Sequence, residues 1–199
     1  HLCASVCVHF ADISDEVYEG ISNRPDAAIL SYPVITSGDK AHQGSIQALL
    51  GADATEAELK YMSLETQVTE NTPPCFLWQT ATDEAVPVEN SYLFAQALKE
   101  KGITFAHHVF SCGKHGLSLA NEKWAAGDYG EPYTMEQTLA IAENVRNGNL
   151  EVPKEMKDSF LSQFDMSEAE KAAADQKEAN EEAVIWPVLA HQWLKTVLG

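Results

Sequence analysis

The sequence lacks features that mark several whole classes of protein. It has no run of 18 consecutive apolar residues and therefore predicts no membrane-spanning helix. Positive charge is scarce, with 13 basic side chains against 30 acidic ones and a net charge of −17. So negative a chain repels phosphate backbones and anionic lipid, and we expect no nucleic-acid or membrane partner. With 45% hydrophobic residues, it can still bury a core, which excludes a disordered tail.

The four cysteines are too few and too scattered for a disulfide framework. Cys3 and Cys7 lie one helical turn apart, with His1 and His9 nearby, a spacing that raises the question of a metal site. Structural zinc uses paired clusters with short gaps, and no second cluster follows. We therefore expect no metal, and we interpret both thiols as small buried side chains of an apolar helix over residues 1–10.

The chain has no initiating methionine, no basic leader and no signal-type cleavage site before His1. Either the start has been removed by processing or the chain is a piece of a longer protein, so a targeting segment cannot be read from the sequence. The cytoplasm is the expected compartment for the chain itself.

Three apolar runs predict buried strands of a mostly parallel sheet, over residues 26–32, 75–80 and 104–110. Between the last two, residues 89–101 place apolar side chains on one face and stop at Gly102, which is typical of a helix. Strand, helix and strand together form a βαβ unit, whose two strands should be parallel neighbours. The fold class is therefore α/β, with helices flanking the sheet.

The chain becomes acidic and helix-prone after about residue 120. Residues 121–182 predict a helical insertion, with helices opening at Thr134 and at Ser167. Residues 183–199 predict a closing amphipathic helix that begins at Pro187. No break in composition is strong enough to predict a second domain, so residues 1–199 are treated as part of a single one. A lid, an oligomer contact and a solvated decoration all remain open as roles for the insertion.

Two loops at the carboxyl ends of the predicted strands carry candidate catalytic residues. Asp83 follows the strand at 75–80, and His115 follows the strand at 104–110. Parallel neighbours lie roughly 4.8 Å apart and end at the same edge of the sheet, so the two side chains are within reach of each other. A carboxylate that orients an imidazole is the acid–base part of a nucleophile–His–Asp triad. Glu84 is the competing candidate for the acid.

The nucleophile of such a triad is absent from the sequence. Serine hydrolases of this architecture carry the serine in a G-x-S-x-G turn between a strand and a helix. None of the thirteen serines fits. Gly44-Ser45 and Gly20-Ile21-Ser22 come closest, and both lack the second glycine.

Several segments resemble the α/β-hydrolase superfamily, in particular small acetylxylan-esterase-like and dienelactone-hydrolase-like enzymes related to the prolyl oligopeptidase catalytic domain. The matching segments are RPDAAILSYPVI (24–35), AHQGSIQALLG (41–51), TPPCFLWQTATDEAVPVENSYLFAQALKEKG (72–102) and HHVFSCGKHGLSLA (107–120). The resemblance implies that Asp83 of D-x-x-V-P and His115 of H-G are the triad acid and base. The family's elbow often reads G-x-S-x-G-G-H-L, which places the expected nucleophile just before His1-Leu2.

This resemblance predicts a partial α/β-hydrolase fold and a serine esterase acting on a small ester or an acetylated saccharide. The acid and base would lie in this chain, which is expected to be inactive alone, and no cofactor is implied. A prolyl-oligopeptidase-type serine peptidase and a non-catalytic hydrolase-like chain are the alternatives. A homo-oligomer remains open.

Overall fold

The computed structural model describes residues 1–13, 19–128, 133–162, 164 and 178–199. These residues form two compact units, one of residues 1–119 with 180–199 and one of residues 120–179. Within the described part of the chain, no helix is long and apolar enough to cross a membrane.

The first unit is built on a three-stranded sheet in the order β1–β2–β3, with all strands parallel. The strands are β1 (Ala28–Ser31), β2 (Cys75–Thr80) and β3 (Phe105–Phe110). Strand β2 is buried along its whole length because it has a neighbour on each side and helices on both faces. The three strands lie within the ranges predicted from the sequence, and the predicted parallel pairing of β2 with β3 is confirmed.

Helices cover both faces of this sheet. Leu30 and Leu77 belong to the core that is shared with α1 (Leu2–His9) and α4 (Glu89–Glu100). On the opposite face, Phe76 contacts a ring of the closing helix. The sheet is therefore the middle layer of three, and helix α4 completes the predicted βαβ unit.

Two short helices, α2 (Gln43–Leu50) and α3 (Glu56–Tyr61), lie between β1 and β2. Helix α3 opens with a capping box, in which Thr55 accepts from the Glu58 amide and Glu58 accepts in return from the Thr55 amide. Single turns of 3-10 helix occur at Phe10–Asp12, Leu64–Gln67 and Ala183–Ile185.

The second unit contains α5 (Glu122–Ala125), α6 (Tyr133–Arg146) and α7 (Lys154–Ser162). Helices α6 and α7 contact each other, and Ala142 and Val145 are buried. Helix α6 confirms the helix predicted to open at Thr134. The start of the helix predicted at Ser167 lies outside the described residues.

Three details differ from the sequence-based expectations. Residues 178–182, the predicted end of that helix, are not helical, because Asn180 Oδ1 accepts the Glu182 and Ala183 amides and caps the next turn. Cys7 is buried, but Cys3 is exposed, since α1 presents its other face to the core. The closing helix, α8 (Trp186–Leu198), begins one residue before the predicted position, at Trp186.

Candidate active site

Asp83 lies in the loop that leaves the carboxyl end of β2, and its side chain is fully buried. One carboxylate oxygen, Oδ1, accepts the backbone amides of Ala85 at 3.0 Å and Val86 at 2.9 Å. This turn, in which a side chain replaces a backbone acceptor, is a common use of aspartate. It fixes the carboxylate so that Oδ2 points away from its own loop.

His115 lies in the loop that leaves β3, and its Nδ1 is 2.7 Å from Asp83 Oδ2. A carboxylate can only accept, so Nδ1 carries the proton and the neutral ring leaves Nε2 as the acceptor. The His115 side chain is 34% exposed. Within the described residues, Nε2 makes no hydrogen bond, so this nitrogen is open to a reacting group.

The electrostatics of the pair favour an ionised acid. Burial acts to raise the pKa of Asp83, but the hydrogen bond from His115 and the Val86 and Ala85 amides outweigh it and hold the pKa below its ordinary value. The carboxylate therefore carries its charge at neutral pH. A charged acid is what a triad needs to stabilise an imidazolium as it forms.

Glu84, the competing candidate for the acid, is exposed. It follows Asp83 in the same loop, whose turn directs the two side chains differently. The predicted contact between Asp83 and His115 is confirmed, and the hydrogen bond to the imidazole belongs to Asp83 rather than Glu84. Their roles in catalysis remain a prediction.

The loop that carries His115 is fastened at its backbone by polar side chains that the sequence analysis did not single out. Thr80 donates its hydroxyl to the Gly113 carbonyl at 2.8 Å, and the Gly113 amide donates to Thr82 Oγ1 at 2.9 Å. From the other side, Asn180 Nδ2 donates to the Cys112 carbonyl at 2.8 Å. No sequence motif marks these threonine and asparagine residues. They reach the His115 loop only because the fold places them after β2 and before α8.

Gly113 lies at the centre of this arrangement with φ +146°. A Cβ atom at this position would come within 2.9 Å of side-chain atoms of Thr80, Leu117 and Asn180. Gly116 also has a positive φ, of +80°, but a Cβ there would meet nothing within 4 Å.

We expect Gly113→Ala to destabilise the chain by about 3 kcal/mol, because strained backbone and overpacking act together. Gly116→Ala, which adds only the backbone strain, should cost about 1 kcal/mol. Urea denaturation of the two variants and the unmodified chain measures both values. Equal losses for the two variants would show that the close packing around Gly113 is unimportant.

An aromatic cluster adjoins the imidazole. Tyr32, directly after β1, has φ +38° and places its ring edge-on to His115, with centroids 4.9 Å apart. Trp78 contacts Tyr32 edge-on and stacks on Trp186, whose Nε1 donates to the Ser118 carbonyl at 2.7 Å. Strained φ values of non-glycine residues concentrate at functional sites. The cluster is a second constraint on the orientation of the His115 ring.

Ser118 lies in another segment that comes close to G-x-S-x-G. Gly116-Leu117-Ser118 matches the first half of G-x-S-x-G, and Ser118 has φ +48°. Ala120 stands in place of the second glycine, and Ser118 lies in a turn that no strand leads into directly. This segment therefore lacks the strand–turn–helix geometry of a nucleophile elbow.

Among the described residues, no group of three or more histidine, cysteine, aspartate or glutamate side chains is placed to hold a metal ion. His9 contacts Asp12 through Nδ1 at 3.1 Å and the Tyr61 carbonyl through Nε2 at 3.1 Å. The second of these contacts ties α1 to α3.

Comparison with known proteins finds relatives among hydrolases. The model of the prolyl oligopeptidase family matches residues 36–128, which include Asp83 and His115. An endo-1,4-beta-xylanase B from Butyrivibrio fibrisolvens is 57% identical over 141 residues, which are 70% of this chain and 22% of that protein.

Solved structures give the same result for the fold. An acetyl ester-xyloside bifunctional hydrolase from Caldicellulosiruptor lactoaceticus is 43% identical, with a TM-score of 0.57 over 65% of this chain and 48% of its own. The carboxylesterase Cest-2923 from Lactobacillus plantarum is 24% identical, with a TM-score of 0.53 over 98% of this chain and 54% of its own. The chain thus spans about half the length of these two structures and 22% of the curated relative.

The parallel three-stranded sheet with helices on both faces agrees with these structural relatives. The chain has a partial α/β-hydrolase fold, and over residues 36–128 it is similar to the prolyl oligopeptidase family.

Proposed function

We propose that this chain supplies the acid and the base of a serine esterase, with Asp83 as the acid and His115 as the base. The observation that carries the proposal is the 2.7 Å hydrogen bond between a buried, ionised carboxylate and Nδ1 of a partly exposed imidazole. This pair lies at the carboxyl edge of a parallel sheet, where α/β folds place their chemistry.

The proposal gives each group a role in the reaction. Nε2 of His115 accepts the proton of a serine hydroxyl as that oxygen attacks the ester carbonyl, and it later returns the proton to the leaving alcohol. Asp83 holds the ring in the tautomer that leaves Nε2 free and stabilises the imidazolium. The acyl group passes to the serine and then to water.

We place the nucleophile outside these 199 residues, on a segment that precedes His1. Two observations support a nucleophile outside this chain, namely the absence of G-x-S-x-G from the sequence and the greater length of the relatives. The 199-residue chain alone is then inactive. Its oxyanion-hole donors would lie in the same missing segment.

The proposed substrate is a carboxylic ester, and more narrowly an acetyl group on a plant-derived saccharide. Support for this class comes from the relatives, one named an acetyl ester-xyloside hydrolase and one a xylanase. A second candidate, a serine peptidase, is favoured by the match to the prolyl oligopeptidase family. The proposed compartment is the cytoplasm, which agrees with four free cysteines.

A serine-reactive fluorophosphonate, applied to the longer gene product that contains this chain, tests the proposal. We expect one labelled serine within G-x-S-x-G before His1, and turnover of acetylated xylo-oligosaccharide but not of a prolyl peptide substrate. The 199-residue chain is the control and should neither label nor hydrolyse. A longer product that does not label would favour a non-catalytic hydrolase-like protein, and turnover of the peptide alone would favour the peptidase.

A further inference from the structure

A fully buried amide, that of Gln79, lies beneath the loop that carries Asp83. Gln79 belongs to β2 and is 0% exposed, next to Trp78 in a mostly apolar strand. Burying an amide costs free energy unless its polar atoms find partners. A glutamine at this position therefore calls for an explanation beyond filling space, since methionine would occupy a similar volume.

The two partners of this amide both belong to the Asp83 loop. Gln79 Nε2 donates to the Val86 carbonyl at 2.7 Å and to Asp83 Oδ2 at 3.3 Å. Its Oε1 is buried and has no hydrogen-bond partner within the described residues. The side chain thus has an unpaired oxygen in the core, while its –NH₂ group donates two hydrogen bonds to the Asp83 loop.

The orientation of the amide follows from the chemistry of its partners. A carbonyl and a carboxylate are both acceptors, so the group that faces them must be the –NH₂ and not the oxygen. Turning the amide over would place three acceptors together and leave Nε2 without a partner. The unsatisfied Oε1 is therefore the consequence of directing both donors at the loop.

With this contact, every hydrogen bond to the Asp83 carboxylate has a defined direction. Oδ1 accepts two backbone amides of the loop, and Oδ2 accepts Gln79 from beneath and His115 from the neighbouring loop. The donor from β2 thus adds to the two loop amides that orient the carboxylate. The oxygen that faces the imidazole is thus tied directly to the central strand of the sheet.

We propose that Gln79 is a positioning residue of the site, whose amide holds Asp83 Oδ2 in the direction that accepts the His115 Nδ1 proton. This inference rests on the proposed function, because it gives Gln79 a purpose in a reaction that Asp83 and His115 perform. The residue does not touch the reacting atoms and acts only through Asp83.

A titration of the isotope-labelled 199-residue chain tests the contact without any turnover. If Gln79 Nε2 donates to Asp83, protonation of that carboxylate must change the bond. The side-chain amide signals of Gln79 should then shift with pH at the midpoint of the Asp83 carboxyl carbon. Gln96 is the internal control, because its exposed amide bonds Glu100 at 2.9 Å and should follow that residue instead. Gln79 signals that do not follow Asp83 overturn the proposal.

The substitution Gln79→Met removes both donors and the unsatisfied oxygen while keeping the shape of the side chain. We expect it to raise the pKa of Asp83, since a donor to the charged form is lost. The low-field proton signal of the His115–Asp83 bond should remain visible but shift. The matched variant Gln96→Met should leave both readings unchanged.

In the longer gene product, Gln79→Met should lower kcat by about tenfold with little change in KM, because Asp83 is then held less firmly toward His115. If the variant loses both the low-field signal and its cooperative unfolding transition, Gln79 merely supports the fold. That result would overturn the proposal. The two proposals can fail separately. If the longer protein is inactive, the proposed function fails but the titration of the Gln79 signals still holds. If the longer protein is active and the pKa of Asp83 does not change in Gln79→Met, only the role of Gln79 is rejected.

Discussion

The substitution His115→Gln in the longer gene product should lower kcat/KM for an acetyl ester by roughly ten-thousandfold or more. The reason is chemical, because a serine hydroxyl is a weak nucleophile unless a base removes its proton, and glutamine cannot do so. Nε2 of this partly exposed side chain is positioned for the transfer by the 2.7 Å bond between Nδ1 and Asp83. Ester hydrolysis at saturating and limiting substrate measures the effect.

His191→Gln is the matched control for this prediction. His191 lies on α8 and is exposed, so its loss should leave the rate within about twofold of the unmodified enzyme. If the His115→Gln enzyme keeps a tenth of its activity, His115 is not the general base.

The substitution Asp83→Asn should be nearly as damaging, with a loss of roughly a thousandfold or more in kcat. Two backbone amides already occupy Oδ1. The amide oxygen introduced at position 83 would remain with them and turn its –NH₂ toward His115. Nδ1 must then accept, and the proton moves to Nε2, where it blocks the base.

Glu84→Gln, one residue along, is the control for Asp83→Asn. Because Glu84 is exposed, this change should alter kcat by less than about twofold. A large loss from Glu84→Gln with little effect of Asp83→Asn would transfer the role of the acid to Glu84.

The substitution Asp83→Asn should also change how the stability of the chain depends on pH. The pKa of Asp83 is held below its ordinary value in the folded chain, so its ionised form stabilises the fold above the unfolded pKa of about 4. That contribution is lost as the pH falls through the folded value. The difference in stability between the unmodified chain and Asp83→Asn should therefore be largest near neutrality and shrink in acid, as urea denaturation at several pH values would measure.

Much of the sheet and of the candidate pair could be predicted from the sequence because their signals are local. Strand β2 is a continuous apolar run after two prolines, and Gly102 ends α4 before β3 begins. Once these strands are parallel neighbours, the Asp83 and His115 loops must meet at one edge. A local sequence pattern and one rule of sheet topology are therefore enough to predict the contact between Asp83 and His115.

The supporting contacts could not be predicted in the same way, because they join residues far apart in the chain. Asn180 reaches the Cys112 carbonyl across 68 residues, and Thr82 reaches the Gly113 amide across 31. In the sequence, Gln79 is simply a polar residue within a mostly apolar strand. Its role becomes clear only from the positions of Asp83 and Val86 in the fold. The exposure of Cys3 depends likewise on which face α1 turns to the core.

A double-mutant cycle on ester hydrolysis tests most directly whether Asp83 and His115 act as one unit. It compares the longer gene product with its Asp83→Asn, His115→Gln and doubly substituted forms. Because the acid works only through the base, the double variant should be no slower than His115→Gln alone, within about twofold. Losses that multiply, so that Asp83→Asn slows the His115→Gln enzyme by a further thousandfold, would contradict the account.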